Sequence, residues 1–184
     1  MSTSAIRTLK PNVTQDEAVR TLSSYGLSSL YWRMRSGPLR KIAGVYVPFH
    51  LYGVRYQLGR TPYARLFAID AVDGSLDLFE FPKVPGDREL LSIDGRNCLS
   101  PGLPEERAVE LLREKVLRIV FQQGFFKLRE LRLDITREPC QIYLPYWLGF
   151  YGGGETVRCR VLDAVRRRVE GAKASAFFEH WLAA

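Results

Sequence analysis

The sequence predicts an α+β protein made of two related units, each a helix followed by an antiparallel β-meander, with a short helix at the C-terminus. A segment reading Tyr-aliphatic-Pro-aromatic-x-Leu occurs twice, at residues 46–51 and 143–148. Each copy is followed by a second shared pattern, aliphatic-Asp-Ala-Val, at residues 69–72 and 162–165. Two patterns repeated in the same order indicate a duplicated unit.

The first unit, residues 14–82, should begin with a helix. Thr14 and Glu17 match the S/T-x-x-E capping box, in which the Thr hydroxyl and the Glu carboxylate each bond the other residue's backbone amide. Apolar residues then recur at helical spacing and predict one buried face. These are Ala18, Val19, Leu22 and Tyr25. Residues 1–13 carry no periodicity and are predicted to be a flexible lead-in.

The rest of the first unit is predicted to be an antiparallel meander, because β-branched and aromatic residues dominate residues 41–58 and 63–72. Pro48 cannot donate a backbone hydrogen bond, so it is predicted to lie on an edge strand or at a bulge. Asp73-Gly74 is a strong two-residue hairpin signal, after which residues 75–81 should return antiparallel to the preceding strand.

A connector rich in Pro-Gly and Asp-Gly turns, residues 83–103, separates the two units. The second unit, residues 104–184, starts with Pro104, which suits the first position of a helix. Residues 106–109 echo residues 16–19, so the duplication extends from the strands into the helix. After the second meander, an apolar helical face predicts a C-terminal helix that has no counterpart in the first unit.

Residues 67–74 read Phe-Ala-Ile-Asp-Ala-Val-Asp-Gly and precede a predicted strand, while residues 161–165 keep Val-Leu-Asp-Ala-Val and lose the glycine. A helix followed by an antiparallel sheet with this Asp-Ala-x-x-Gly ending resembles the PepSY domain, a small α+β module whose sheet wraps around a helix as in cystatins. The resemblance implies a tandem of non-catalytic modules, which in that family are often regulatory or inhibitory. PepSY modules usually lie outside the cytoplasm, and this chain departs from them by lacking an export signal.

The composition is that of a soluble globular protein, with 46% hydrophobic and 26% charged residues. The first residues contain no apolar segment of a signal peptide, and no run of about 18 apolar residues could span a membrane. The cytoplasm is therefore the predicted location. Three cysteines without C-x-x-C spacing favour reduced thiols. The formal net charge of +7 permits binding to nucleic acid or to an acidic partner.

No catalytic constellation is visible in the sequence, and a non-enzymatic role is favoured. The two histidines, His50 and His180, lie in apolar or aromatic stretches, and no nucleophile motif accompanies them. Asp70 and Asp163 occupy equivalent places and could form an acid/base pair across a groove. An Asp that enters a turn commonly bonds backbone amides two residues on, however, and this structural role is favoured. No cofactor is predicted, and no metal, because Cys, His and Asp are too scattered.

Two groups of residues are candidates for ligand recognition. A basic segment near the end of the chain could hold phosphate or carboxylate groups in bidentate fashion, although a solvated strand end is the alternative. Its members are Arg158, Arg160, Arg166, Arg167 and Arg168. An aromatic group could form a recognition surface or a base-stacking platform, although core packing between the units is the alternative. Its members are Tyr46, Phe49, Tyr143, Tyr146 and Trp147.

The sequence therefore favours a non-catalytic binding or regulatory module whose ligand is a protein or a small molecule. Binding of nucleic acid or an acidic partner through residues 158–168 is the first alternative, and it would weaken steeply as salt is raised. An enzyme of unrecognised type is the second, because a missing motif is weak evidence. An exposed sheet edge at Pro48 or Pro145 would permit a homodimer.

Overall fold

The computed structural model describes residues 5–23, 34, 37–122, 131–152 and 158–183, and in these ranges it contains three helices and eight strands of one mixed sheet. The α+β class and the C-terminal helix predicted from the sequence are confirmed. The elements are β1 (Ala5–Leu9), α1 (Gln15–Ser23), β2 (Leu39–Leu58), β3 (Thr61–Asp70), β4 (Phe79–Phe81), β5 (Leu90–Asp94), α2 (Glu105–Gln122), β6 (Leu133–Tyr151), β7 (Arg158–Asp163), β8 (Arg168–Val169) and α3 (Ala172–Ala183).

The long antiparallel strands β2 and β6 form the centre of the sheet. They pair along most of their length, with register shifts after Leu39 and between His50 and Tyr52. β3 and β4 continue the sheet beyond β2, and β7 and β8 continue it beyond β6. β1 pairs with β5 and also meets β6 in parallel, where Thr8 lies opposite Tyr143.

The register of β2 on β6 places the two Tyr-x-Pro segments against each other. Tyr46 lies opposite Pro145, and Pro48 lies opposite Tyr143. Each Tyr-x-Pro segment therefore places its tyrosine opposite the proline of the other segment, and the pair has approximate twofold symmetry.

The flanking strands repeat this arrangement. Asp70 of β3 lies opposite Phe49, and Asp163 of β7 lies opposite Tyr146. Phe49 and Tyr146 occupy the same place in their Tyr-x-Pro segments. The two Asp-Ala-Val patterns therefore meet the central strands at corresponding positions.

α1 begins at the predicted capping box. The amide of Thr14 donates to Glu17 Oε2 at 2.8 Å, and the amide of Glu17 donates to Thr14 Oγ1 at 3.3 Å. The buried side chains of Ala18 and Leu22 pack with residues of β6, β7 and the start of β2. The first helix therefore covers the strands that follow the second helix in the chain.

α2 makes the reciprocal contact. Its buried stripe packs against β2, β3 and the start of β6. The stripe consists of Ala108, Leu112, Val116 and Val120. Each long helix therefore lies on the strands of the other half of the sequence, while α3 buries Phe177 and Phe178 in a separate core cluster.

The prediction of a flexible lead-in over residues 1–13 is wrong for residues 5–9, which form β1. This strand pairs with β5 from Ala5 opposite Asp94 to Leu9 opposite Leu90. Leu9 is 6% exposed and belongs to the main core. A strand of five residues is too short to produce the periodicity on which the prediction relied.

The predicted hairpin at Asp73-Gly74 is also wrong in its geometry. Only residues 79–81 pair with β3, and the residues between Asp70 and Phe79 form an irregular turn. Gly74 has a φ of +74°, the left-handed conformation that glycine tolerates. The amides that would have continued a ladder bond the carboxylate of Asp70 instead.

Pro48 lies on the central strand β2 rather than on an edge strand, contrary to the prediction. On the side of β2 away from β6, the neighbour of the strand changes at Pro48. β3 pairs with β2 as far as Asp70, and beyond that point residues 97–99 bond Tyr46. The carbonyl of Pro48 accepts a hydrogen bond from Ala71 at 2.8 Å. The missing amide hydrogen is tolerated because no regular ladder continues past Pro48 on this side of β2.

Candidate ligand-binding site

The turn beyond β3 is built around the carboxylate of Asp70. Its Oδ1 accepts hydrogen bonds from the amides of Asp73 and Gly74 at 3.1 and 2.9 Å, and its Oδ2 accepts one from Leu76 at 2.8 Å. Burial raises the pKa of Asp70, and the three amide donors oppose that rise. The structural role predicted for this aspartate is confirmed.

The turn beyond β7 is built in the same way around Asp163. Its Oδ1 accepts hydrogen bonds from the amides of Val165 and Arg166, both at 2.8 Å. Burial raises the pKa of Asp163, while the same amides and the Arg166 guanidinium oppose that rise. Both aspartates therefore organise turns of similar design.

Arg166 joins these two turns. Its Nη2 donates to the carbonyl of Leu78 at 2.6 Å, and its guanidinium carbon lies 3.9 Å from the centre of the Phe79 ring. Its Nε lies 3.7 Å from Asp163 Oδ2. The side chain thereby connects residues that are 88 positions apart in the sequence.

A cavity of about 90 Å³ lies where the two turns meet the start of α3. Leu76 and Asp77 line it from the first turn, Arg166 lines it from the second, and Tyr146 lines it from β6. The remaining wall comes from residues between positions 170 and 174. The cavity is thus formed by three parts of the chain that are distant in the sequence.

Tyr146 places a phenol on this cavity from the interior of the protein. The residue is 5% exposed, and its hydroxyl has no hydrogen-bond partner among the residues that the structure describes. Burial, and next the charge of Asp163, raise the pKa of Tyr146 well above its usual value. The hydroxyl therefore stays protonated at neutral pH and can donate a hydrogen bond.

The two carboxylates beside the cavity are engaged by one arginine. Arg168 Nε donates to Glu170 Oε1 at 2.9 Å, and its Nη2 lies 3.6 Å from Asp77 Oδ2. This pairing holds the pKa of the Arg168 guanidinium above its usual value. Arg168 therefore offsets one of the two negative charges of Asp77 and Glu170.

Two lysines lie near the cavity, and one of them lines it. Lys173, in the first turn of α3, lines the cavity and makes no ion pair within the described ranges. Lys115, on α2, donates from Nζ to the carbonyl of Leu76, which forms part of the cavity wall. Burial, and next the charge of Lys173, lower the pKa of Lys115.

A second cluster of titratable groups surrounds His50, which is 6% exposed. Arg137 Nη2 lies 3.2 Å from His50 Nδ1, and the same guanidinium pairs with Glu105 at the start of α2. Burial, and next the Arg137 charge, lower the pKa of His50, while Glu105 opposes them. This cluster ties α2 to the central strands.

The predicted basic segment does not form one free surface. Arg160 is 9% exposed, and Arg158 is half-buried. Arg167 donates to the carbonyl of Asn12 and to Glu17 Oε1, which anchors the start of α1. Arg166 and Arg168 lie at the cavity in the contacts described above. Nucleic-acid binding through this segment stays a prediction.

The predicted aromatic group is divided between the core and the surface. Phe49 and Tyr146 are 0% and 5% exposed, so neither belongs to an outward recognition surface. Tyr46, Tyr143 and Trp147 are half-buried. Trp147 Nε1 donates to the carbonyl of Val13 at 3.0 Å and so holds the residue just before α1.

The sequence reasoning missed Lys173 and Asp77 as members of one site. These residues lie on α3 and in the turn after β3, and no spacing in the chain relates them. One signal was available, since Tyr146 stands where the first copy has Phe49. A hydroxyl present at only one of two equivalent positions is a candidate for a specific role, because polar groups inside proteins usually have a hydrogen-bond partner.

Within the described ranges, no group of three His, Cys, Asp or Glu side chains is placed to hold a metal ion. In the same part of the chain, none of the helices is both long enough and apolar enough to cross a membrane. Comparison of the chain with models of protein families, with curated proteins and with solved structures found no match. The resemblance to PepSY domains therefore remains a prediction.

Proposed function

We propose that this protein is a non-catalytic binding module whose cavity holds a small anionic ligand. The observation that carries the proposal is the Tyr146 hydroxyl, a donor that lines the cavity and makes no hydrogen bond with the described residues. A ligand oxygen in the cavity could accept a hydrogen bond from this hydroxyl.

Two cations on the cavity wall would attract an anion. Arg166 and Lys173 contribute positive charge, and Arg168 offsets one of the two negative charges of Asp77 and Glu170. The first turn of α3 contains no acidic residue, so the partial positive charge of its N-terminus is not offset by a side chain of that turn. A neutral phenol, two cations and a helix N-terminus all complement a ligand that carries negatively charged oxygens.

The scaffold of the module is, in this proposal, a tandem duplication whose two units exchange their N-terminal arms. Two parallel bridges support it. Thr8, before the first helix, lies opposite Tyr143 of the second Tyr-x-Pro segment. Cys98, before the second helix, lies opposite Tyr46 of the first segment.

The starts of the two helices support the same exchange. The amide of Asn12 donates to the carbonyl of Ala164 at 2.7 Å, and the amide of Gly102 donates to the carbonyl of Ala71 at 2.8 Å. Both acceptors belong to Asp-Ala-Val patterns. The cavity would then lie at the junction between the units, where two related turns meet. A cytoplasmic setting would suit the three free cysteines.

The proposal is tested by titrating the protein with acetate and with inorganic phosphate, using calorimetry. Tyr146→Phe removes only the hydroxyl and places at this position the residue type found at the equivalent Phe49, so the fold should be kept. We expect this variant to bind anions at least about tenfold more weakly, as expected for loss of a hydrogen bond to a charged group. Tyr143→Phe removes a hydroxyl that does not line the cavity and should leave binding unchanged.

The same variant has a second expected effect, on stability. Without ligand, Tyr146→Phe should change the free energy of unfolding by less than about 1 kcal/mol, because the hydroxyl that is removed makes no hydrogen bond with the described residues. Urea unfolding measures this change. Equal anion affinity in Tyr146→Phe and in the unsubstituted protein, or no anion binding by either, would refute the proposed function.

A further inference from the structure

The wall of the cavity carries charges of both signs that do not pair with each other. Lys173 lines it from the first turn of α3, and Asp77 lines it from the turn after β3. Within the described ranges, no ion pair joins these two side chains, and Lys173 forms none with any other residue. A positive and a negative group therefore lie on the wall of one cavity while remaining apart.

Asp77 keeps its capacity to accept hydrogen bonds. Arg168 donates from Nε and Nη2 to the two carboxylate oxygens of Glu170, at 2.9 and 3.3 Å. The same Nη2 lies 3.6 Å from Asp77 Oδ2, which is too long for a hydrogen bond. In the part of the chain that the structure describes, the Asp77 carboxylate accepts no hydrogen bond at all. A ligand donor can therefore bind it without displacing a partner in those ranges.

The positive part of the wall lies next to a hydrogen-bond donor. Lys173 and the Tyr146 hydroxyl both line the cavity, and each can donate to a carboxylate. Asp77 can bind only a group that donates, and it repels a simple anion. An anion without a cationic group is therefore attracted by one part of the wall and repelled by another.

We propose that the ligand of this cavity is a small zwitterion, an α-amino acid, whose carboxylate binds Tyr146 and Lys173 and whose ammonium group binds Asp77. This inference rests on the proposed function, and it adds a cationic group to the ligand. An α-amino acid carries its carboxylate and its ammonium group on one carbon atom. One molecule thus supplies an acceptor for Tyr146 and Lys173 and a donor for Asp77, whereas acetate supplies acceptors alone.

The first experiment compares glycine, acetate and methylammonium by calorimetry on the intact chain at about pH 7. Glycine and acetate share the carboxylate, and glycine and methylammonium share the cationic group. We expect glycine to bind at least about fivefold more tightly than acetate, the factor typical of an ion pair near the surface, and more tightly than methylammonium. Acetate that binds as tightly as glycine overturns the zwitterion and leaves the anion-binding function standing. Methylammonium that binds as tightly as glycine contradicts both proposals, since the carboxylate would then contribute nothing.

Asp77→Asn tests the cationic end of the ligand, because it keeps the size of the side chain and removes its charge. The affinity for glycine should fall by about fivefold, whereas the affinity for acetate should not fall, because a repelling carboxylate is removed. Misfolding would weaken both ligands, so the two results separate it from the loss of one contact. Asp94→Asn, at the exposed end of β5, is the matched control and should leave both affinities unchanged.

Lys173→Met tests the carboxylate end. Glycine and acetate share this end, so both affinities should fall by the same factor, about threefold for an exposed lysine. A preference for glycine that persists in Asp77→Asn would overturn the zwitterion proposal alone. If Tyr146→Phe binds glycine and acetate as the unsubstituted protein does, the proposed function fails as well.

Discussion

Tyr146 and Phe49 occupy equivalent buried positions and differ by one hydroxyl group. Both side chains are buried, and each lies opposite the aspartate that organises the next turn. The phenylalanine satisfies packing alone. The tyrosine adds a donor that the interior does not use, and this difference carries the argument for a ligand.

His50 provides a test of stability against pH. Burial, and next the Arg137 guanidinium, hold its pKa below the usual value, so the unfolded chain binds a proton at a higher pH than the folded protein does. We expect this group to lower the free energy of unfolding as the pH falls below about 6.5, until the folded-state pKa is passed. At pH values well above about 6.5, the contribution of His50 to the free energy of unfolding should be constant.

Urea unfolding at a series of pH values measures the effect. His50→Gln should flatten the profile in this window, and His180→Gln, at an exposed site on α3, should not. Asp70 and Asp163 act in the opposite direction at lower pH, because their raised pKa values favour the folded protein as they gain protons. Identical profiles for His50→Gln and the unsubstituted protein would contradict the assignment.

Among the helices and strands, α1 depends most on its ends. It has nine residues and would be marginal in isolation, so its cap and its packing must hold it. Glu17 closes the capping box and also accepts a hydrogen bond from Arg167 at 3.1 Å. Burial of Ala18 and Leu22 against the second half of the sheet supplies the rest.

Thr14→Ala should therefore lower the free energy of unfolding by about 1 kcal/mol, the usual cost of losing an N-cap side chain. The helix stays in place because its packing is unchanged, so anion affinity should be kept. Chemical denaturation gives the stability change, and Ser92→Ala, at an exposed position on β5, serves as the control with an expected change within about 0.5 kcal/mol. Equal losses in both variants would mean that the cap contributes nothing specific.

The strands show which of the local predictions depended on their surroundings. Pro48 was predicted on an edge strand or at a bulge because its missing donor would interrupt a ladder, but β3 ends beside it and no ladder is interrupted on that side of β2. Asp73-Gly74 was predicted to form a tight hairpin, but the Asp70 carboxylate captures the amides that follow it. In both cases the local property of the residues was predicted correctly, but the neighbouring group depends on the tertiary structure.

The two halves of the chain are held together by contacts between them. α1 covers β6 and β7, α2 covers β2 and β3, and the central pair β2–β6 joins the two halves. α1 and α2 each pack mainly on strands of the other half of the sequence, whereas α3 packs on β7 of its own half. The apolar faces of both halves would therefore stay exposed if the halves were separated.

Cutting the chain between Gly95 and Arg96 tests this dependence. We expect residues 1–95 and 96–184 to be largely unfolded when each is alone, because each would leave a central strand unpaired and a helix without its strands. Mixed in equal amounts, they should regain helix and sheet, which circular dichroism and sedimentation would show together. A stable native-like fold from either piece alone would mean that the exchange is not required.

The features that could be predicted are those made by near neighbours. The capping box at Thr14, the buried stripe of α2, the turn role of Asp70 and the α+β class all follow from residues a few positions apart, whose hydrogen bonds and spacing are written in the local pattern. The packing of α1 and α2 on strands of the other half, and the cavity, depend on the tertiary structure. They depend on contacts such as Arg166 with Leu78, 88 positions apart, and burial selects such partners by fit over the entire core.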